Sequence, residues 1–299
     1  MPCYHPITAW RSGSVNPSGR RSLLFSPEGA FGDALQISCG KCVGCRLERS
    51  RQWALRCVHE ASLYPENCFV TLTYSEEHLP DPPQLVKRHV QLFFKRLRKR
   101  FGKLRYVMCG EYGEKLTRPH YHALIFGMDF PDKKKHTERA GITTFKSQIL
   151  EDIWGLGFCT LGAISFESAA YVARYSMKKI NGDQAKSHYE RIDASTGELI
   201  QLQPEYLAMS LKPGIAHDWF QKYKSDCYPD DFCISKGNKL RVPAYYDRQL
   251  PELELQELKL RRKKTALRFR ENSTPTRLAV RETVKLAQLS RLATRNIEK

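Results

Sequence analysis

No stretch of this 299-residue chain stays apolar over the roughly 20 residues that a membrane-spanning helix needs. The opening Met1-Pro2-Cys3-Tyr4-His5 has no charged segment followed by an apolar one, so no export signal is expected. No Gly-x4-Gly-Lys-Ser/Thr loop occurs, so no P-loop for ATP is expected. There is no internal repeat. Negative charge is also scarce: 32 Asp+Glu face 49 Lys+Arg, leaving a formal net charge of +17. Such an excess attracts polyanions, and with no membrane segment the expected partner is nucleic acid.

Cysteine is plentiful instead. Ten cysteines without an export signal suggest reduced thiols or metal ligands rather than a disulfide framework. Cys39, Cys42 and Cys45 stand at Cys-x2-Cys-x2-Cys spacing, with Gly40 and Gly44 between them to allow tight turns. Three sulfurs so spaced can surround one ion, and zinc would need a fourth ligand. Cys3 is the first choice, with His5, Cys57 and His59 as alternatives. An iron–sulfur cluster would use similar spacing. The expected role is structural, pinning a poorly hydrophobic N-terminal arm.

The remaining pattern alternates strand and helix. Residues 1–38 are turn-rich and read as loops with a short strand. Arg46 to Leu63 reads as a basic helix, Asn67 to Tyr74 as a strand, and Val86 to Phe101 as an amphipathic helix ending in a run of Lys and Arg. Leu104 to Glu111 is a strand, as is Arg118 to Gly127. Phe145 to Trp154 reads as a short helix, Phe158 to Phe166 as a strand, and the Ala-rich Glu167 to Lys179 as a helix. The expected fold class is α+β: a split βαβ (ferredoxin/RRM-like) antiparallel sheet with helices on one face, plus a Cys-rich N-terminal arm and a basic helical C-terminal tail. The expected divisions are 1–63 for the arm and its helix, 64–182 for the core, 183–250 for an aromatic accessory region and 251–299 for the tail. Residues 252–299 carry 13 Lys+Arg against 6 Asp+Glu, with a break near Pro275.

Within Arg118–Gly127, His120 and His122 alternate with Tyr121, so the imidazoles share one face of the strand and the phenol takes the other. Two imidazoles on a rigid surface are a metal-ligand pair, and Glu111 on the preceding strand is placed as a third ligand, with Glu114 as a fallback. Two N donors and one O donor with open positions suit Mg2+ or Mn2+ beside a phosphate. On the Ala-rich helix, Tyr171 and Tyr175 lie one turn apart on one face. Arg174 and Lys178 each follow a tyrosine by three residues. A tyrosine hydroxyl has a pKa near 10 and attacks only when its proton leaves or its target is made more electrophilic. A metal at the histidines would meet the second condition, and Arg174 and Lys178 would stabilise the charge that forms.

Three segments together resemble the ordered motifs of HUH endonucleases that start rolling-circle replication: Phe69-Val70-Thr71-Leu72-Thr73, Pro119-His120-Tyr121-His122, and Tyr171-Val172-Ala173-Arg174-Tyr175-Ser176-Met177-Lys178. The double tyrosine resembles the branch that contains phage replication initiators. Cys39–Arg56, Glu111–Gly127 and Glu167–Lys179 resemble more narrowly the microvirus replication initiation proteins of gokushovirus type, over most of residues 1–250. The resemblance implies a nickase at a viral double-stranded origin, acting in the cytoplasm of a bacterial host. It implies His120, His122 and Glu111 as the metal site and Tyr171 and Tyr175 as nucleophiles. The nick would leave a 5′-phosphotyrosine and a free 3′-OH, with later religation of the displaced strand. Single-stranded and origin double-stranded DNA, and a host helicase and polymerase, are the implied partners. The cysteine cluster is outside that signature and rests on spacing alone. A relaxase or transposase of the same chemistry, or a non-catalytic zinc-stabilised nucleic-acid-binding module, are the other readings.

Overall fold

The fold was taken from a computed structural model, which describes residues 3–297 except 18, 20, 114–116, 140, 176–182 and 193–195. The chain divides into two compact units, one formed by residues 1–49 with 252–299, the other by residues 50–251.

The first unit opens with a three-stranded sheet. β1 (Ile7–Ser12) pairs antiparallel with β2 (Leu23–Leu24) and with β3 (Ala30–Ile37). Loops were expected here, because the apolar residues of the segment do not alternate. The structure explains that pattern: these strands are nearly all surface, Ala9 is their one fully buried residue, and Phe25 and Phe31 are exposed. A long helix, α1 (Val43–Ala61), follows and continues into the second unit.

The second unit is built on the strand–helix–strand–strand–helix–strand order expected from the sequence. β4 (Asn67–Thr73) leads to α2 (Lys87–Phe101), then β5 (Arg105–Tyr112) and β6 (Pro119–Phe126). A hairpin of β7 (Lys134–Arg139) and β8 (Ile142–Lys146) comes next, then α3 (Gln148–Trp154) and β9 (Cys159–Gly162). The central strands run β5-β6-β4-β9, all antiparallel, which is the split βαβ order. Later elements are α4 (Phe166–Tyr175), α5 (Asp183–Tyr189), the hairpin β10 (Glu190–Ile192) and β11 (Leu199–Gln201), and β12 (Tyr206–Met209). β12 pairs with β5 and the β7–β8 hairpin joins β9, so among the described residues the sheet has seven strands. The unit closes with α6 (His217–Tyr223), the hairpin β13 (Phe232–Ser235) and β14 (Asn238–Arg241), and α7 (Ala244–Asp247). Back in the first unit, α8 (Glu252–Leu267) and α9 (Pro275–Ile297) form the basic tail, with the break at Pro275. Among the described residues, no helix is long and apolar enough to cross a membrane.

Alternation along each central strand sorts the side chains into two faces. Val70, Leu72, Met108, Tyr121, Ala123 and Ile125 face the main core, where α2 contributes Val90, Phe93, Phe94 and Leu97 and α3 contributes Leu150, Ile153 and Trp154. Tyr121 is fully buried as expected, and its hydroxyl accepts from Val86 N at 2.7 Å, fixing the start of α2. The opposite face carries Phe69, Thr71, Thr73, Val107, Cys109, Glu111, His120 and His122. That face is covered as well: α4 lies against β5 and β6, and Ser50 Oγ of α1 donates to Ala170 O of α4 at 2.9 Å. Nearby, a buried Arg105–Glu60 ion pair ties β5 to α1, and Glu60 also accepts from Ala216 N at 2.5 Å.

Candidate metal and nucleophile site

The register of the sheet assembles the site. β5 pairs with β6 so that Glu111 stands opposite His120, and β4 pairs with β6 so that Thr73 stands opposite His120 and Thr71 opposite His122. Glu111, His120 and His122 thus share one face, with one ligand atom from each within 4.8 Å of the others. His120 Nε2 is 2.6 Å and His122 Nε2 3.0 Å from Glu111 Oε1.

The outer bonds of the two rings hold the Nε2 of each toward Glu111. His120 Nδ1 is 3.1 Å from Arg118 O, and a carbonyl can only accept, so Nδ1 carries the proton in the neutral ring. His122 Nδ1 is 2.9 Å from Thr71 Oγ1, and its ring stacks on Phe69 with centroids 5.7 Å apart. In the neutral His120 ring the Nε2 lone pair then faces a carboxylate oxygen, whereas His122, whose Nδ1 can accept from the Thr71 hydroxyl, can present Nε2–H to Glu111. Acceptors crowd together in this way only around a proton or a cation. Glu111 is 2% exposed, and its Oε2 has no hydrogen-bond partner among the described residues. Burial alone would raise the Glu111 pKa, but the hydrogen bonds of His120 and His122 outweigh it and hold the carboxyl below its ordinary value. A buried carboxylate with an orphaned oxygen between two imidazoles is a donor set that fits a divalent ion.

α4 brings Tyr171 to this cluster. Its hydroxyl donates to Glu111 Oε1 at 3.3 Å and lies 3.5 Å from His122 Nε2. The Tyr171 and His122 rings meet edge to face, 5.0 Å apart. The helix begins with a reciprocal cap, in which Ser168 N donates to Ser165 Oγ at 3.1 Å and Ser165 N to Ser168 Oγ at 2.8 Å. Tyr175 closes α4, but its side chain lies outside the described residues, as do Lys178 and Glu114. Arg174 is exposed on α4.

Two neighbours were not singled out as site residues from the sequence. Thr71 supports His122 from the adjacent strand; its position two residues from Phe69 and Thr73 on an alternating strand was the available signal. Phe158 is the second. Thr73 N and Oγ1 donate to its carbonyl at 2.9 and 3.1 Å, so it extends the row Glu111–His120–Thr73 by one more strand. Cys159 beside it turns into the core, and Phe158 is 64% exposed. Gly157 makes the approach feasible: at φ +146° it avoids a Cβ that would collide with the backbone of Thr73 and Ser75.

The four cysteines Cys3, Cys39, Cys42 and Cys45 also come together, in the other unit, with one sulfur from each within 4.8 Å of the rest. The alternative fourth ligands go elsewhere. His5 is paired with Glu282 at 2.6 Å, Cys57 is buried, and His59 is buried and stacked on Trp219.

A family model described as replication-associated protein ORF2/G2P matches residues 67–180. The replication-associated protein ORF2 of Spiroplasma virus 4 is 36% identical over 252 residues, covering 78% of this chain and 74% of that protein. This chain belongs to the family of phage replication-associated proteins. VP4 of Bdellovibrio phage phiMH2K, another replication-associated protein, is 32% identical over 82% of this chain and 76% of its own length. ORF4 of Chlamydia phage 1 is 30% identical over 59% of this chain and 48% of its own. No solved structure matches. The family resemblance read from the motifs is thereby borne out. Within this replication-associated protein, the matched segment runs from β4 past α4 and contains Glu111, His120, His122, Tyr171 and Tyr175; the cysteine cluster lies outside it.

Proposed function

We propose that this replication-associated protein is a rolling-circle initiator that nicks one strand of the viral double-stranded origin through Tyr171 and later religates the displaced strand. The observation that carries the reading is the convergence of Tyr171 Oη on the Glu111–His120–His122 cluster, 3.3 Å from Glu111 Oε1. His120, His122 and Glu111 would hold Mg2+ or Mn2+, which when bound makes a phosphate more electrophilic.

The residues of the chain then do the following. Tyr171 points its phenolic proton at Glu111, and its oxygen would form a bond to the scissile phosphorus as that proton passes to solvent. The phosphorus–O3′ bond breaks and the O3′ takes up a proton to become a free 3′-OH. The 5′ phosphate stays on Tyr171 as an ester of comparable energy, so a later 3′-OH can reverse the step. Tyr175, one turn on, is the second nucleophile, which lets one tyrosine hold an end while the other cuts. Arg174 and Lys178 are assigned to the phosphate charge. Phe158 offers a face on which a base of the single strand can stack. Unwinding and synthesis are left to host helicase and polymerase, in the cytoplasm of the bacterial host.

The test is a single-stranded origin oligonucleotide incubated with the protein and Mg2+ or Mn2+, read as a covalent adduct on a denaturing gel. The adduct should vanish with chelator and fall at least a hundredfold in Tyr171→Phe. An undiminished adduct in Tyr171→Phe combined with Tyr175→Phe would overturn the nucleophile assignment. His120→Ala with His122→Ala should still bind the oligonucleotide but not cut it.

A further inference from the structure

The cysteine cluster takes no part in that chemistry, yet its geometry is specific. Cys3 precedes β1, Cys39 follows β3, and Cys42 and Cys45 flank the first residues of α1. The β1–β3 ladder pairs Ile7 with Ile37, so the chain enters β1 and leaves β3 at the same end of the sheet. That register carries Cys3 to the Cys-x2-Cys-x2-Cys run, and the four sulfurs lie within 4.8 Å of one another. Cys39 Sγ and Cys45 Sγ are 3.9 Å apart. A disulfide needs about 2.05 Å, and Cys3, Cys39, Cys42 and Cys45 are not in disulfides. Four sulfurs at a Zn–S distance of ~2.3 Å form a tetrahedron with edges of about 3.8 Å. An iron–sulfur cluster puts its own iron and sulfide atoms between the cysteines and spreads their sulfurs wider than that edge.

The surroundings are those of thiolates. Tyr4 N donates to Cys42 Sγ at 3.4 Å, Cys39 N to Cys3 Sγ at 3.3 Å and Cys42 N to Cys39 Sγ at 3.3 Å. Backbone amides aimed at sulfur offset the negative charge that accumulates when four thiols lose their protons around one ion.

We propose that Cys3, Cys39, Cys42 and Cys45 bind one zinc ion whose role is structural. All four positions are filled by protein sulfur, so no site remains for water or substrate. The need for the ion is visible in the sheet it closes. β1, β2 and β3 bury one residue completely between them, and Leu23, Phe25 and Phe31 are exposed. A small sheet without a hydrophobic face is not stable alone in water, and a metal tie at its end supplies closure that burial does not.

Metal analysis of the purified full-length chain tests this. About one zinc per chain is expected to survive dialysis against a chelator that strips the catalytic site. His120→Ala with His122→Ala should keep that zinc, which separates this site from the nicking reaction. Cys3→Ser with Cys42→Ser should lose it. If that variant does not fold, a mercurial titration of the unaltered protein, followed with a zinc-binding dye, should release one zinc as four thiols react. No zinc in the unaltered protein, iron with acid-labile sulfide in its place, or full zinc retention in the folded cysteine variant would each overturn the assignment.

Discussion

A single hydrogen bond from the neighbouring strand orients the His122 ring. Thr71 Oγ1 takes the Nδ1 side of the ring at 2.9 Å, which leaves Nε2 aimed at Glu111 and Tyr171. Partners of this kind orient a ligating imidazole, and their loss costs about 10–100-fold in metal affinity or activity. Thr71→Val keeps the shape and removes the oxygen. It should raise the Mn2+ concentration for half-maximal adduct formation by about tenfold or more, with oligonucleotide binding in chelator unchanged. An unchanged metal requirement would count against Thr71 as the support. His59 makes a different point about histidines. It is 7% exposed, stacked 3.5 Å from Trp219, and 2.8 Å from Tyr246 Oη through Nδ1. Burial lowers its pKa to about 4. In the unfolded chain a histidine titrates near 6.5, so as pH falls the unfolded state takes the proton first. His59 therefore leaves stability unaffected above about pH 6.5 and weakens it progressively down to about pH 4, by roughly 2 kcal/mol at pH 5. Urea unfolding at pH 7 and pH 5 should show that loss, and His59→Phe should reduce it. The identities of His120 and His122 as a facing pair were legible from alternation alone. His59 could not be placed the same way, because its partners Trp219 and Tyr246 lie more than a hundred residues along the chain.

At the scale of elements, the site is a row across four strands. Glu111, His120, Thr73 and Phe158 follow one another on β5, β6, β4 and the residue just before β9. Strands stand about 4.8 Å apart, so Phe158 is roughly 10 Å from His120 along the sheet. That is within reach of a neighbouring base when a phosphate sits at the metal site. Stacking on an aromatic is worth about 1–3 kcal/mol per base. Phe158→Ala should therefore weaken binding of a single-stranded oligonucleotide by about 5–150-fold, and Phe158→Trp should restore it. At saturating DNA, the single-turnover rate of adduct formation should stay near that of the unaltered protein; a large fall in that rate would mean that Phe158 supports the fold of the site instead. The elements making this row were legible because each is long and strongly patterned: β4 alternates, α2 has an apolar stripe, and β6 carries the histidines. The elements that widen the sheet were not. β7 and β8 are mostly polar and exposed, and β12 is four half-buried residues. Their strand character comes from pairing with β9 and β5, which no local pattern in Lys134–Lys146 or Tyr206–Met209 announces.

For the whole molecule, the net charge of +17 is the property that acts beyond any one element. Its basic residues are spread through both units, including the exposed Lys259, Lys263 and Lys264 on α8 and Lys95, Lys99 and Arg100 on α2. An excess of this size is a general affinity for phosphate backbones that carries no sequence information. It should therefore be lost with salt, while the chemistry proposed at the local Glu111–His120–His122 cluster should not be. If the protein neutralises about five phosphates of a single strand, log affinity should fall with log salt at a slope near −3.5, or roughly a hundredfold between 50 and 200 mM. Tyr171→Phe is the protein to use, because it binds without forming the covalent adduct. In the same series, adduct formation by the unaltered protein, measured at DNA concentrations that saturate at each salt, should change little. A slope near zero would mean that the charge excess does not face the DNA. A saturated cleavage rate that falls as steeply as binding would mean that exposed cations such as Arg174 act in the chemical step and not only in capture.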